Sequence, residues 1–295
     1  MKTDWSMDFA DIQKPLEDSC YDTAWKVEHQ WPKALVEHWP ARVYLSILCR
    51  AARTTFRTVA YVAADVRQGQ SDWRWDYLLA VPLMNRTLLD SIFNCVFLLE
   101  DIPARSKWFH ESGWKESMLE LKREEAAYGS DPAFKSFLAS KKERLSQNAK
   151  RLHLDTAAAM ARKEWWPNPG KIPHYGFKKG EVLPDHRQFL LYLNDWFYGP
   201  ISSQSHHGFY GLQQTGMYYL AEEFPKGERQ DIERTWPSFR AEQVVRSSVL
   251  TLALLSELEK HFDLGLATDF RQLWQKLLGA PEAKEVYEKR YLTFF

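Results

Sequence analysis

The feature that most constrains the fold is a long apolar segment, residues 71–100, which polar side chains interrupt at a regular spacing. Its apolar residues occupy nearly every side of a helix, as is typical of a helix enclosed in a protein core. Pro82 lies within it and predicts either a bend or a later start of the helix. We therefore expect this helix to lie at the centre of the core.

Arg86, Asp90 and Asn94 recur at intervals of four in this predicted helix. Side chains at that spacing share one face, so they form a polar stripe on an apolar helix. A buried charge is costly unless it is paired, and Arg86 can pair with Asp90 across one turn. The stripe is therefore either an internal ion pair that fixes the register of the helix or the wall of a polar pocket.

The rest of the chain also favours helices, and no alternating strand pattern of convincing length occurs. We predict further helices at 41–68, 102–128, 133–163, 185–198, 237–261, 269–278 and 281–291. Residues 1–40 are interpreted as an aromatic-rich, irregular or weakly helical N-terminal arm, and residues 164–176 as a Trp- and Pro-rich loop. The resulting prediction is an all-α protein with an arm at 1–40 and a single helical bundle of long helices at 41–295.

Two helices carry basic faces. On the helix at 41–68 one face holds Ser46, Arg50, Arg53 and Arg57. This face is typical either of a solvated helix surface or of a stripe that faces an anion. The helix at 133–163 has the strongest local basic excess in the chain, and its pattern favours a solvated surface.

The overall charge bears on the partners. Lys and Arg together number 39, as do Asp and Glu, so the formal net charge is zero. Proteins that bind long nucleic acids usually have an excess of basic residues, so the zero net charge gives no strong indication of DNA binding. Any contact with RNA or a nucleotide requires a local basic patch. Zero net charge also removes one barrier to self-association, which makes a homodimer one expectation.

Cysteine usage and hydropathy bear on the compartment. Cys20, Cys49 and Cys95 fit neither a disulfide framework nor a zinc pattern, and Cys49 and Cys95 lie in apolar surroundings typical of buried thiols. The N-terminus lacks the apolar core of a signal peptide, and the longest apolar stretch is too short and too polar to span a bilayer. We therefore expect a cytoplasmic protein without membrane contact.

The segment from Asp195 to Tyr210 concentrates groups able to move protons or bind a ligand. It includes Tyr198, Ser202, Ser203, His206 and His207. On a helix the two serines reach the two histidines at a spacing of four. Serine hydrolysis is disfavoured, because the chain lacks a Gly-x-Ser-x-Gly elbow and an all-α fold does not supply that turn. Adjacent histidines point in different directions and no zinc motif occurs, so we predict neither a metal nor a cofactor.

A third chemistry uses Arg and His without metal. RNA cleavage of this type needs a His to move the proton of the 2′-hydroxyl and an Arg to stabilise the charged phosphorane. The helical HEPN nucleases carry an Arg followed, after four to six residues, by a His. Arg105 and His110 match that spacing, although Ser106 stands where a polar Asn, Asp or His is usual. The alternative is a surface arginine and a histidine beside a helix.

Several of these motifs together resemble a bacterial all-helical family of unknown function. They are the Arg86-to-Asp90 helix, the segment from Leu99 to Arg105, and Tyr198 followed by Ser202 or Ser203 and by His206 and His207. The resemblance covers roughly residues 41–260 and is similar in style to HEPN-like bundles. It implies a polar centre built from Arg86, Asp90, a Ser and a His, and implies no established reaction. Asp90 departs from the family pattern, in which Glu is the more usual acid.

Two functional hypotheses follow. In the first, the protein is an interaction or ligand-sensing module around a polar centre, with Asn94, Tyr198 and the serines as ligand-binding groups. In the second, it is a metal-independent HEPN-like ribonuclease or nucleotide-directed phosphodiesterase with a role as a toxin or in phage defence. There Arg86 binds the anion, His206 or His207 shuttles protons, and Asp90 orients a histidine. The two differ in whether Arg86 and the histidine open into a pocket.

Overall fold

The computed structural model describes residues 10–30, 35–63, 73–199, 201–202, 213, 216–218 and 224–295. Within these ranges the fold is all-α, as predicted, and contains no β-strand. The α-helices are α1 (Ala10–Trp25), α2 (Trp39–Ala63), α3 (Trp73–Leu99), α4 (Ile102–Tyr128), α5 (Pro132–Arg151), α6 (Thr156–Ala161), α7 (Asp185–Leu193), α8 (Lys226–Phe262), α9 (Ala267–Leu277) and α10 (Pro281–Arg290). π-helical turns at Lys26–Gln30 and Asn194–Tyr198 continue α1 and α7, and a 3-10 turn spans Pro169–His174.

The bundle is centred on α3 and α8, which pack against each other. From Gln243 to Glu259 every residue of α8 is buried, so this half of the helix is enclosed on all sides. The long apolar helix predicted at 71–100 is likewise a core helix, and Pro82 lies inside it without ending it. Asn85 donates to Gln243 Oε1 at 3.2 Å and accepts from Ser247, which satisfies the buried polar groups between the two helices.

The N-terminal arm differs from the expectation of an irregular or weakly helical segment. Residues 10–25 form a regular helix, and α1 packs chiefly on α2. Its side chains Ile12, Leu16, Cys20 and Ala24 are almost fully buried and belong to the same hydrophobic core as α2 and α3. The four recur every four residues, a helical period that the prominent tryptophans of the sequence obscured. The division of the chain at residue 40 stays a prediction.

Two predicted helix boundaries were also wrong. The helix expected at 133–163 ends at Arg151, because His153 takes a left-handed conformation with φ of 51° and Asp155 caps the separate helix α6. The helix expected at 237–261 instead begins at Lys226, eleven residues before the predicted start. Ile232 and Trp236 in this extension pack against Val81 and Tyr218 in a small second core, so tertiary packing maintains the helix there.

The three cysteines are buried free thiols. Burial raises the pKa of the Cys49 thiol to about 12 and raises the pKa values of Cys20 and Cys95 well above their ordinary value. The thiolate is the reactive form, so we expect that the native protein does not react with a thiol reagent at neutral pH. After unfolding in guanidinium, the same reagent should titrate three thiols. Rapid labelling of a thiol in the native state would contradict this burial.

Candidate functional site

The polar stripe on α3 faces the π-helical turn after α7 and the Trp- and Pro-rich loop. Arg86 Nε donates to Asp90 Oδ1 at 3.1 Å and to Oδ2 at 3.3 Å, so the ion pair expected across one turn forms. Arg86 Nη2 donates to the hydroxyl of Tyr198, and the guanidinium carbon lies 3.7 Å from the centre of the Tyr198 ring. The structure thus brings together three of the predicted site residues.

Tyr198 reaches Arg86 because the backbone leaves room for its ring. A Cβ atom on Gly170 would lie 3.3 Å from two carbons of that ring, tighter than most real contacts, so the glycine allows this approach. The backbone of Gly170 also hydrogen-bonds the Tyr198 hydroxyl. The 3-10 turn and the π-helical turn therefore hold the tyrosine against α3.

Asn94, the third member of the stripe, contacts the loop rather than the ion pair. Its Oδ1 accepts from the indole nitrogen of Trp166 at 2.8 Å, and the backbone nitrogen of Trp166 donates to Ser112 Oγ at 3.2 Å. The Trp166 ring packs edge-on against Phe97 and Trp108. Trp166 therefore connects the loop to both α3 and α4.

The electrostatics of the polar centre leave one donor unsatisfied. Arg86 Nη1 is buried and has no hydrogen-bond partner in the part of the chain that the structure describes. Burial raises the pKa of Asp90, against the opposing effect of Arg86. Burial, with a contribution from Asp90, also raises the pKa of Tyr198, again opposed by Arg86. A buried guanidinium with an open donor is suited to donate a hydrogen bond to an oxygen atom of an anion or a polar ligand.

The remaining predicted site residues are Ser202, Ser203, His206 and His207. Ser202 is helical and half-buried. Ser203, His206 and His207 lie outside the described residues, so the expected partnership of the stripe with the histidines stays a prediction. Among the residues that the structure describes, no group of three or more His, Cys, Asp and Glu is placed to hold a metal ion. Over the same residues no helix combines the length and apolarity needed to cross a membrane.

The Arg105 and His110 pair of the HEPN-like spacing contacts two different sets of residues. Arg105 pairs with Glu100 and lies 3.8 Å from the Phe97 ring centre. His110 hydrogen-bonds the backbone of Pro40 at the start of α2, and burial lowers its pKa. The five-residue separation turns the two side chains about 140° apart around a helix, which accounts for the separate environments.

The basic stripe on α2 is matched by carboxylates from the preceding segment of the chain. Arg50 Nη2 donates to Glu28 Oε2 at 2.7 Å, and Arg57 Nε lies 3.2 Å from Glu17 Oε2. Arg53 lies over the ring of Tyr21 at 5.9 Å. The anions that this stripe faces therefore belong to α1 and to the turn that follows it.

Sequence reasoning missed two buried charge clusters. In the first, Glu100 pairs with Arg105, Arg187 and His186. In the second, Arg290 forms a bidentate pair with Glu257 at 2.8 and 2.9 Å. Glu257 follows Leu250 and Leu254 by seven and three positions in an apolar helix, so its place on the core face was visible in the sequence.

Comparison of the chain with protein-family models, with curated proteins and with solved structures finds no match.

Proposed function

We propose that the protein is a ligand-sensing module whose polar centre, Arg86, Asp90 and Tyr198, binds a small anionic ligand such as a nucleotide. The observation that carries this proposal is the buried Nη1 donor of Arg86, which has no hydrogen-bond partner among the residues that the structure describes. Guanidinium groups donate strong, charge-assisted hydrogen bonds to phosphate and carboxylate oxygens, and Nη1 is the nitrogen of Arg86 that is open for such a bond.

The surroundings of Arg86 support a binding role over a purely structural one. An internal ion pair needs only the contact with Asp90, whereas here the guanidinium carbon also lies 3.7 Å from the centre of the Tyr198 ring. Two contacts from different elements restrict the position of the guanidinium, and a group that is already positioned lowers the entropy cost of binding an oxyanion. The side chain keeps 18% of its accessible surface, and that of Asp90 keeps 33%, so the centre is not sealed.

The proposal predicts opposite effects of two substitutions on binding. Thermal unfolding is measured with and without adenosine monophosphate and inorganic phosphate. We expect Arg86→Lys to abolish the ligand-induced rise in Tm, because a lysine ammonium group cannot contact Asp90 and Tyr198 and also place a donor where Nη1 lies. We expect Asp90→Asn to tighten binding by about fivefold, because it removes a negative charge close to the bound anion.

A matched control separates binding from stability. Arg246 is also buried and pairs with Glu242 at 2.7 Å, but it lies outside the polar centre. Arg246→Lys should therefore lower the stability of the protein and keep the ligand-induced rise in Tm. Equal ligand shifts in wild type and Arg86→Lys would overturn the proposal.

The alternative is a metal-independent HEPN-like ribonuclease or nucleotide phosphodiesterase. It is favoured by the contact between Arg86 and Tyr198, because Tyr198 precedes His206 by only eight residues along the chain. Incubation of labelled single-stranded RNA with wild type, His206→Ala and His207→Ala tests it. Cleavage that disappears in one folded histidine variant supports the enzyme, and an inactive wild type contradicts it.

The same proposal includes a homodimer in the cytoplasm, with a role in phage defence or as a toxin if RNA is cleaved. Zero net charge supports self-association, and three free buried thiols support a reducing compartment. Light scattering on the purified protein measures the oligomeric state directly.

A further inference from the structure

The helical hairpin formed by α4 and α5 leaves most of α5 uncovered. Asp131 caps α5 by accepting from the backbone nitrogen of Ala133 at 2.8 Å, and α5 then packs chiefly on α4. In α5 only Leu138 and Ala149 are fully buried, so its covered strip is narrow. The remaining sides of the helix are accessible to a partner.

One exposed side of α5 combines an aromatic ring with arginines. We call it the α5 stripe, and its members are Phe137, Ser140, Arg144, Asn148 and Arg151. Spacings of three and four residues place them on one flank of the helix, over a length of about 21 Å. Half of the Phe137 surface is exposed. At the other end, Arg151 Nη2 donates to Asn148 Oδ1 at 3.2 Å, and its guanidinium carbon lies 6.0 Å from the ring centre of Trp39.

The stripe belongs to the most positively charged helix surface of the chain. Between Pro132 and Arg151 the sequence has six Lys or Arg residues and one acid, Glu143. Lys141 and Lys142 are neutralised by acids of α4, at 2.8 Å from Glu124 and 3.5 Å from Glu125. Arg144, in contrast, forms no ion pair with any residue that the structure describes. The α5 stripe therefore carries an uncompensated positive charge.

We propose that the α5 stripe is a binding surface for single-stranded nucleic acid. Proteins bind such strands by stacking bases on exposed aromatic rings and by contacting phosphates with Arg and Lys. Phe137 supplies the ring, Arg144 and Arg151 supply the cations, and Ser140 and Asn148 supply hydrogen-bonding groups between them. This surface is separate from the polar centre and does not depend on the ligand of Arg86.

The stripe does not fit an anionic membrane equally well. A helix that lies on a bilayer needs a continuous apolar face toward the lipid. In α5 the buried apolar residues Leu138 and Ala149 face the protein, and the exposed flank alternates arginine with Ser and Asn. A duplex is a poorer partner as well, because its bases are already stacked and cannot lie on Phe137.

Fluorescence anisotropy with labelled oligonucleotides of about 15 nucleotides tests the proposal. Oligo-uridine and oligo-thymidine are compared with a duplex of the same length at two salt concentrations. We expect Phe137→Ser to weaken binding of both single strands by about fivefold or more, because one base loses its stacking partner. We expect Arg144→Gln to weaken binding and to lower the slope of log affinity against log salt by about 0.7.

Lys135→Gln is the matched control. Lys135 is exposed on α5, nine residues before Arg144 and therefore half a turn away, and its change removes the same charge. The affinity of the Lys135→Gln variant for the single-stranded oligonucleotides should stay within about twofold of wild type. Circular dichroism melts confirm that all three variants remain folded.

Three outcomes would overturn the assignment. The first is a wild type that binds neither single strand at low salt. The second is equal weakening by Lys135→Gln and Arg144→Gln, which indicates a diffuse charge effect. The third is binding to anionic vesicles or to an acidic peptide that is lost in Phe137→Ser while oligonucleotide binding is unchanged.

Discussion

Glu257→Gln is expected to destabilise the protein by about 3–5 kcal/mol, because it leaves a buried guanidinium without its counter-charge. Glu257 and Arg290 retain 4% and 8% of their surface and meet through two parallel hydrogen bonds. The hydroxyl of Tyr291 donates to the same carboxylate at 3.0 Å. Arg290 also pairs with Asp185, but the Asp185 side chain is 75% exposed, so it offsets little of the lost charge of Glu257. The change in the free energy of unfolding is measured by urea denaturation.

An exposed pair on α10, the helix that carries Arg290, provides the control. Glu288 lies 3.8 Å from Lys284, and both side chains are about half exposed, so Glu288→Gln should cost less than about 0.5 kcal/mol. Replacing both Glu257 and Arg290 by apolar residues should recover much of the loss, because no unpaired charge remains. A loss below about 1 kcal/mol for Glu257→Gln would show that Arg290 is solvated or neutralised by another route.

The helices of the bundle were predictable because their signals are local. The apolar run of α3, the Asp131 and Pro132 start of α5 and the two short C-terminal helices all depend on periodicity and capping within a few residues. The Arg86 to Asp90 pair was predictable for the same reason, since a spacing of four places the two groups on one face.

The remaining features depend on contacts between residues far apart in the chain. Nothing near Arg86 in sequence specifies that Tyr198 covers it or that Gly170 makes room for that ring. The first turns of α8 contain residues typical of a turn, and packing of Trp236 against the second core overrides that preference. Which acids neutralise the arginines of α2 likewise follows from the packing of α1, which local periodicity does not determine.

Glu100→Gln is the second substitution with a large expected effect, about 3 kcal/mol. Glu100 directly follows the central helix α3 and receives hydrogen bonds from His186 at 2.7 Å and from both Nε and Nη2 of Arg187. Arg187 keeps only 1% of its surface, and Arg105 lies beside the same carboxylate. A neutral Gln leaves these two cations facing each other in a poorly solvated site. Glu125→Gln on α4, in an exposed pair with Lys142, is the control with little expected effect.

The pH dependence of this effect identifies its electrostatic origin. Burial acts to raise the pKa of Glu100, but hydrogen bonds from His186 and Arg187 and the nearby arginine charges outweigh it and lower the pKa from 4.5 to about 2. A lowered pKa means that the charged carboxylate stabilises the fold above the pKa of the unfolded chain and that this contribution disappears as the pH falls toward 2. The stability difference between wild type and Glu100→Gln should therefore be constant above about pH 5 and should shrink steadily below pH 4.5. A difference that persists unchanged at pH 3 would instead assign the loss to altered packing around Arg187.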